Sequence, residues 1–286
     1  MVKKATSYSI FNGTDEIVSS VLGLGPGKTL KQKSTCRRLA PGSLSTSDFV
    51  AMVSDLYNRM ENNLTDRIPS RENWRIERQT YIGSGNRSPE VLLERAIALL
   101  GERKVLKDWF NQIPVASGLI SETADRRAAI DLLRYRNERV ELVELKWESD
   151  TPAYAAIEIL RYGLIYLLSY VNRDAFGYAD NPLMGTGLVS LRVLAPQKFF
   201  DDCNLTWLRC GLDEGIHAFV DRKTDQALSM DFGFLAFPAA FNMPFTTGED
   251  VLRMRNVNKD TEPCRKLVAA MNNLESPWCD PKDKAL

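Results

Sequence analysis

The chain has 286 residues, 44% of them apolar, so it can bury a substantial core of the kind found in soluble globular proteins. Acidic and basic residues both number 37, which leaves no net charge and means that any nucleic-acid site must be a local patch. The single histidine, His217, excludes catalytic sites built on histidine pairs, so we expect carboxylates and lysines to carry any catalytic chemistry.

The first 45 residues contain only short apolar runs, and we interpret them as an irregular arm with one strand near residues 16–22. Residues 23–29 are one residue short of the phosphate-binding P-loop motif, which favours a plain loop. A basic run then extends without an acid as far as Asp48, and it suits either phosphate contacts or a solvated arm. Its members are Lys28, Lys31, Lys33, Arg37 and Arg38.

An amphipathic helix follows the arm, because apolar residues recur every three or four positions between residues 49 and 60. We expect it to begin near Thr46, with Ser47 or Asp48 as its cap.

A helix, a hairpin and a second helix are predicted in the middle of the chain. The first helix spans residues 88–100, where Ser88 can cap the first turn and Pro89 suits its first position. Two β-rich runs, residues 128–135 and 139–147, then flank a short turn.

The longest apolar stretch, Ala153 to Val171, is long enough to span a bilayer, and Pro152 before it opens the second helix. It carries Glu158 and Arg161, so it predicts a buried helix, and we expect no membrane segment. Further on, we expect strands at residues 188–194 and 227–237 and helices at residues 205–219 and 262–274. We divide the chain into an N-terminal arm and helix (1–85), a main domain (86–250) and a C-terminal helix and tail (251–286).

The five cysteines lie far apart without a C-x-x-C pair, which fits neither a disulfide framework nor a zinc site of thiolates. Residues 1–14 contain no apolar run of the kind found in a signal peptide. A reducing cytoplasm is therefore the expected compartment.

Two carboxylates are expected to meet on the predicted hairpin. A two-residue turn at positions 137–138 pairs Arg136 with Arg139, and counting back along the ladder places Asp131 opposite Glu144. Carboxylates opposed in this way repel each other. A hard divalent cation such as Mg²⁺ takes oxygen ligands and would turn the repulsion into binding, while activating a water for attack on a phosphate.

Lys146 lies two residues beyond Glu144 and shares its face of the strand, because side chains alternate with a period of two. The pattern of Asp131 on one strand and Glu144-x-Lys146 on the next resembles the PD-(D/E)xK nuclease superfamily. The resemblance implies an α/β fold with a restriction-endonuclease-like core, in which helices flank a central mixed β-sheet, here with an N-terminal elaboration. It also implies that Asp131 and Glu144 bind Mg²⁺ or Mn²⁺ and that Lys146 is the catalytic lysine.

The resemblance extends to the two neighbouring helices. The family often adds a glutamate on the preceding helix, and Glu94 lies where that metal-binding, catalytic residue would fall. One branch carries Gln-x-x-x-Tyr on the following helix, and Glu158 and Tyr162 have this spacing with Glu in place of Gln, so we rank them as auxiliary. The candidate nucleic-acid contacts are Arg126, Arg127 and Arg161.

The expected activity is hydrolysis of DNA phosphodiester bonds with Mg²⁺ or Mn²⁺ as cofactor. The alternative is a catalytically inactive nucleic-acid-binding or assembly module on the same fold, and calorimetry of metal binding would separate the two. RNA as substrate also stays open, as does the oligomeric state, a homo-oligomer included.

Overall fold

The structure, a computed structural model, describes residues 9–64, 69–115, 128–255 and 261–278. Within these ranges the strands are β1 (Trp109–Pro114), β2 (Ala129–Arg136), β3 (Arg139–Leu145), β4 (Leu188–Pro196) and β5 (Ser229–Phe237). The α-helices are α1 (Thr14–Val21), α2 (Lys33–Cys36), α3 (Thr46–Asn62), α4 (Pro89–Glu102), α5 (Pro152–Val171), α6 (Gln197–Phe200), α7 (Thr206–Lys223), α8 (Gly248–Arg253) and α9 (Glu262–Asn272).

The five strands form one sheet in the order β1-β2-β3-β4-β5. The first three run antiparallel to one another, whereas β4 is parallel to β3 and β5 is parallel to β4. The sheet is therefore mixed, and helices flank it, which confirms the predicted α/β class.

The hairpin of β2 and β3 has the predicted two-residue turn. Asn137 and Glu138 have φ values of 51° and 60°, as a type I′ turn requires. Arg136 pairs with Arg139 as expected. The regular ladder ends five residues away from the turn on each strand, and the candidate carboxylates come directly after its last pair.

Two apolar clusters cover the two faces of the sheet. One cluster joins α1, α3, α5 and α7 to the sheet, and the other joins α4, α8 and α9 to it. The end of β3 lies between α4 and α5, and this placement brings charged groups from both helices towards the same strand end.

Helix α5 begins where the sequence predicts, because the Thr151 side chain accepts a hydrogen bond from the Tyr154 N–H and Pro152 occupies the first position. Gly163 in this helix lies close to Leu191, so α5 packs tightly on β4. Although α5 is long and apolar enough to cross a membrane, 78% of its apolar window is buried within the protein. It has the burial expected of a core helix in a soluble protein.

The strand predicted near residues 16–22 is wrong, because this segment lies in α1. Its β-branched residues favour a strand by propensity. However, Thr14 and Val18, one helical turn apart, are both buried, and α1 packs against α3. Packing of a helical face thus overrides the local preference.

The predicted cap of one helix needs correction, and one strand was missing from the predicted elements. Helix α3 begins at Thr46, but its cap is Ser45, whose backbone N–H and hydroxyl both donate to the Asp48 carboxylate in a capping box. Strand β1 was not predicted, since Asn111 and Pro114 are poor strand formers.

Candidate active site

A buried carboxylate on α4, that of Glu94, faces β1. Asn111 donates from Nδ2 to Glu94 Oε1 at 2.6 Å, and Gln112 donates from Nε2 to Oε2 at 3.1 Å. Arg95 also donates to Oε1. Burial raises the pKa of Glu94 to about 7, although the Arg95 charge opposes the shift. Glu94 therefore changes protonation state near neutral pH.

The ladder between β1 and β2 is interrupted at Gln112 and Asp131. Pairing stops at Leu132 and resumes at Ile130, and Gln112 has a φ of 54°. A left-handed backbone at such a residue costs about 1–3 kcal/mol. Freed from the ladder, Asp131 turns its Oδ2 to the backbone N–H of Leu145, which donates to it at 2.9 Å. Asp131 thus connects β2 to the end of β3 through its side chain.

Lys146 links the end of β3 to α5. Its backbone N–H donates to the Leu194 carbonyl at 2.9 Å, so strand geometry continues to this residue. The Lys146 Nζ lies 2.9 Å from Glu144 Oε1, 2.9 Å from Glu158 Oε2 and 3.8 Å from Asp150 Oδ2. Lys146 and Glu144 are both buried, whereas Glu158 and Asp150 are partly exposed, so the network extends from the interior towards the surface.

The charges at this point shift one another's pKa values. Burial raises the pKa of Glu144 well above its ordinary value, and the negative charges of Asp131 and Glu158 raise it further. Burial also raises the pKa of Asp131, to about 6, despite the Leu145 hydrogen bond and the Lys146 charge. For Lys146, burial lowers the pKa, but Glu144 and Glu158 outweigh burial and the net shift is upward. Lys146 is consequently protonated at neutral pH, among carboxylates that outnumber it.

The predicted auxiliary residues adjoin this network. Glu158 binds Lys146 directly, and Tyr162 follows one helical turn later on α5. Burial raises the pKa of Tyr162, and the charges of Glu144 and Glu158 raise it further, so its phenol stays neutral. The side chain packs edge-on against Phe11, with 6.1 Å between ring centroids.

Of the three predicted arginine contacts, the structure describes Arg161. The Arg161 Nη2 is 2.5 Å from Asp15 Oδ1 on α1, and the arginine is buried. This pair connects the N-terminal part of the chain to α5, with Arg161 engaged inside the protein. Arg126 and Arg127 lie outside the described residues.

The carboxylates are placed near one another but are not arranged as a complete ligand set. Among residues 9–64, 69–115, 128–255 and 261–278, no three His, Cys, Asp or Glu side chains come close enough together to hold a metal ion. Two contacts account for this arrangement. Lys146 occupies the space between Glu144 and Glu158, and Asp131 is hydrogen-bonded to the Leu145 backbone.

The sequence did not reveal three further residues around the site. Gln112 holds Glu94 from a backbone conformation that no residue pattern indicated. Asp150 approaches Lys146 from the loop after β3. Glu90 accepts hydrogen bonds from the Trp147 N–H at 2.9 Å and the Ser149 hydroxyl at 2.6 Å.

Comparison with protein-family models, with curated proteins and with solved structures gave no match to this chain.

Proposed function

We propose that the chain is a metal-dependent nuclease that hydrolyses DNA phosphodiester bonds at a PD-(D/E)xK active site on a restriction-endonuclease-like core. One observation carries the proposal. Asp131, Glu144 and Lys146, which the sequence motif singles out, lie together at the strand end between α4 and α5, and each influences the pKa of its neighbours. Perturbed, clustered ionisable groups of this kind are typical of catalytic sites.

The side chains present suit a hard divalent cation. Carboxylate oxygens are the donors that Mg²⁺ and Mn²⁺ prefer. The mutual repulsion that raises the pKa of Glu144 is a cost that bound positive charge would remove. We assign Asp131 and Glu144 as the ligands and Glu94 as an auxiliary ligand. When bound, the cation would polarise the phosphate and lower the pKa of a water molecule.

Lys146 acts as a cation in this proposal. Its raised pKa keeps the ammonium protonated, so it can donate hydrogen bonds but cannot accept a proton. Placed beside a phosphate, it would stabilise the negative charge that develops on the phosphate oxygens in the transition state. Glu158 holds Nζ from the α5 side, and this contact keeps the ammonium in position when Glu144 engages another group.

A second candidate is a catalytically inactive nucleic-acid-binding or assembly module on the same fold. The ion-pair network favours it, because Lys146 already pairs with both Glu144 and Glu158 without an added cation. Buried ion pairs can also be retained for conformational specificity. This candidate predicts neither metal binding nor cleavage.

The decisive experiment measures cleavage of linear, circular and single-stranded DNA, and of RNA, with Mg²⁺ or Mn²⁺. We expect the wild type to cut DNA, and Lys146→Ala and Asp131→Asn each to lower the rate by about 100-fold or more, since each removes charge stabilisation in the transition state. Lys266→Ala and Asp174→Asn are matched controls at exposed positions, and both should cut at the wild-type rate.

Cutting that persists in both site variants would refute this active site. Absence of cutting, together with no heat of metal binding in calorimetry, would instead support the inactive module. Cutting confined to RNA would keep the site and change the substrate.

A further inference from the structure

A cavity of about 330 Å³ opens beside the candidate active site. Its walls come from the loop after β3, the start of α5, helix α2 and the region of α6. The volume lies at the lower end of the range for small-molecule sites. The N-terminal arm closes one side, since the Thr151 hydroxyl at the start of α5 donates to the Leu30 carbonyl at 2.5 Å.

The cavity and the ion-pair network share a residue. Asp150 lines the cavity, and its Oδ2 lies 3.8 Å from Lys146 Nζ. Trp147 and Glu148, which follow Lys146 directly in the chain, also line it. An occupant of the cavity would therefore lie next to the position where Lys146 meets a scissile phosphate.

The walls combine aromatic surface with two lysines, Lys33 and Lys198, and three carboxylates, those of Glu148, Asp150 and Asp202. Phe199, which is partly exposed, provides most of the aromatic surface, and Trp147 adds the 8% of its area that Phe237, Phe241 and the rest of the core leave exposed. Lys198 donates to Glu148 Oε1 at 3.0 Å and lies 5.8 Å from the centroid of the Trp147 ring. Lys33 is exposed and forms no ion pair with any residue in the described part of the chain.

This combination has the properties required to bind a nucleotide. Bases stack on aromatic side chains whatever their sequence, and lysine binds the phosphate as a point charge. The carboxylates of Glu148 and Asp202, each held by one cation, retain free lone pairs that could accept from base N–H groups.

We propose that this cavity binds one unpaired nucleotide of the DNA strand next to the bond that is cut, with its phosphate at Lys33 and its base against Trp147 and Phe199. The inference rests on the proposed nuclease function and specifies its substrate. A base can enter the cavity only when it is outside a stacked duplex. The preferred DNA is therefore single-stranded, or unpaired at the cut.

The test measures binding without cleavage. The probe is a five-nucleotide thymidine strand, titrated without metal into the full-length Lys146→Ala protein by calorimetry. We expect Phe199→Ala and Lys33→Ala, each added to that background, to weaken binding about tenfold, in line with the loss of one stacking or one phosphate contact. Lys33→Ala should also lower the slope of log affinity against log salt by about 0.7. Lys266→Ala, at an exposed lysine that does not line this cavity, should bind like the background protein.

A second probe, the same thymidine strand with one base removed, tests whether Phe199 contacts a base. Phe199→Ala should weaken binding of the intact strand more than that of the abasic strand. Equal affinity of all variants for the thymidine strand, or no binding by the background protein, would overturn the proposal. Failure of the proposed nuclease function would be detected separately in the cleavage experiment, as cleavage that does not depend on Lys146.

Discussion

Gln112 combines an unfavourable backbone with a contact to a buried acid. Glutamine has no special tolerance for a φ of 54°, so the surrounding structure must hold it there. In this conformation its Nε2 reaches Glu94 Oε2 at 3.1 Å, beside the hydrogen bond from Asn111. Strained residues of this kind tend to persist at functional sites. The backbone of β1 thus supports the assignment of Glu94 to the site.

The buried carboxyls predict that the metal-free protein loses stability as the pH rises. Burial raises the folded-state pKa of Glu94 from 4.5 to about 7 and that of Asp131 to about 6. The folded protein consequently holds more protons than the unfolded chain between about pH 4 and pH 7. The stability from these protonated groups is complete below the unfolded pKa and is lost as the pH passes 6 to 7. For Glu94 the loss in the free energy of unfolding across this pH range is roughly 3 kcal/mol. Urea unfolding in EDTA should give a lower free energy at pH 8 than at pH 5.

Glu94→Gln is the control for this pH dependence. An amide cannot ionise, and Gln112 can turn its own amide so that its oxygen accepts from the new side chain. The variant should lose a large part of the decrease between pH 5 and pH 8. An equal decrease in both proteins would mean that other groups cause it.

At the scale of elements, two glycines allow α7 to pack closely against α3. A Cβ at Gly211 would lie 2.2 Å from a ring atom of Phe49, and one at Gly215 would lie 3.0 Å from the Phe49 backbone. Both glycines are buried. Small residues at the crossing therefore let Phe49 fill the space between the two helices.

Gly211→Ala should lower the free energy of unfolding by about 1–2 kcal/mol. The added methyl must displace a buried ring, and overpacking of this kind costs about 1–3 kcal/mol, more than the gain of up to about 1 kcal/mol in helix propensity. Chemical denaturation measures the difference. Gly185→Ala is the control, because nothing lies within 4 Å of a Cβ there. Stability unchanged in Gly211→Ala would show that Phe49 moves aside at no cost.

Elements with strong local signals could be predicted from the sequence. Pro152 and the long apolar run after it indicated the observed limits of α5, and the alternation around positions 137–138 indicated the turn of the hairpin. Strand β1 and helix α1 were not predictable in this way. Asn111 and Pro114 disfavour a strand in β1, and β-branched residues disfavour a helix in α1, so contacts with distant segments decide both conformations.

The sequence predicted the motif residues of the candidate site but not the contacts that surround them. Period-two alternation and the motif brought Asp131, Glu144 and Lys146 to one strand end. The contact of Lys146 with Glu158 could not be predicted, since it depends on how α5 lies across the sheet. The same holds for Gln112, whose conformation follows from the interrupted ladder.

At the scale of the whole molecule, the site depends on segments that are distant in sequence. Glu94 comes from α4, Asp131 from β2, Glu144 from β3 and Glu158 from α5. The chain as a whole has no net charge, yet buried acids are concentrated at this point. Because the unfolded chain does not hold these groups together, binding of a cation here should stabilise the whole fold.

Mg²⁺ should therefore raise the melting temperature, and more strongly at pH 8 than at pH 6, because the carboxylates must be deprotonated to bind. At a Mg²⁺ concentration of 100 times the dissociation constant, the stabilisation is about 2.7 kcal/mol. Each kcal/mol raises the melting temperature by roughly 2–4 °C. Differential scanning calorimetry with and without EDTA measures it. Asp131→Asn should lose most of the shift, whereas Asp174→Asn should retain it. An equal shift in all three proteins would indicate binding elsewhere.

The type I′ turn at Asn137 and Glu138 also limits how the length of this chain can vary. Asp131 and Glu144 lie on opposite sides of the turn, and its length helps to determine which residues face each other. One inserted residue would shift the pairing and turn one strand's side chains to the other face of the sheet. Surface loops elsewhere can grow or shrink with little effect on the fold. In this hairpin, by contrast, a single insertion or deletion would separate the two carboxylates while leaving every candidate site residue in the sequence.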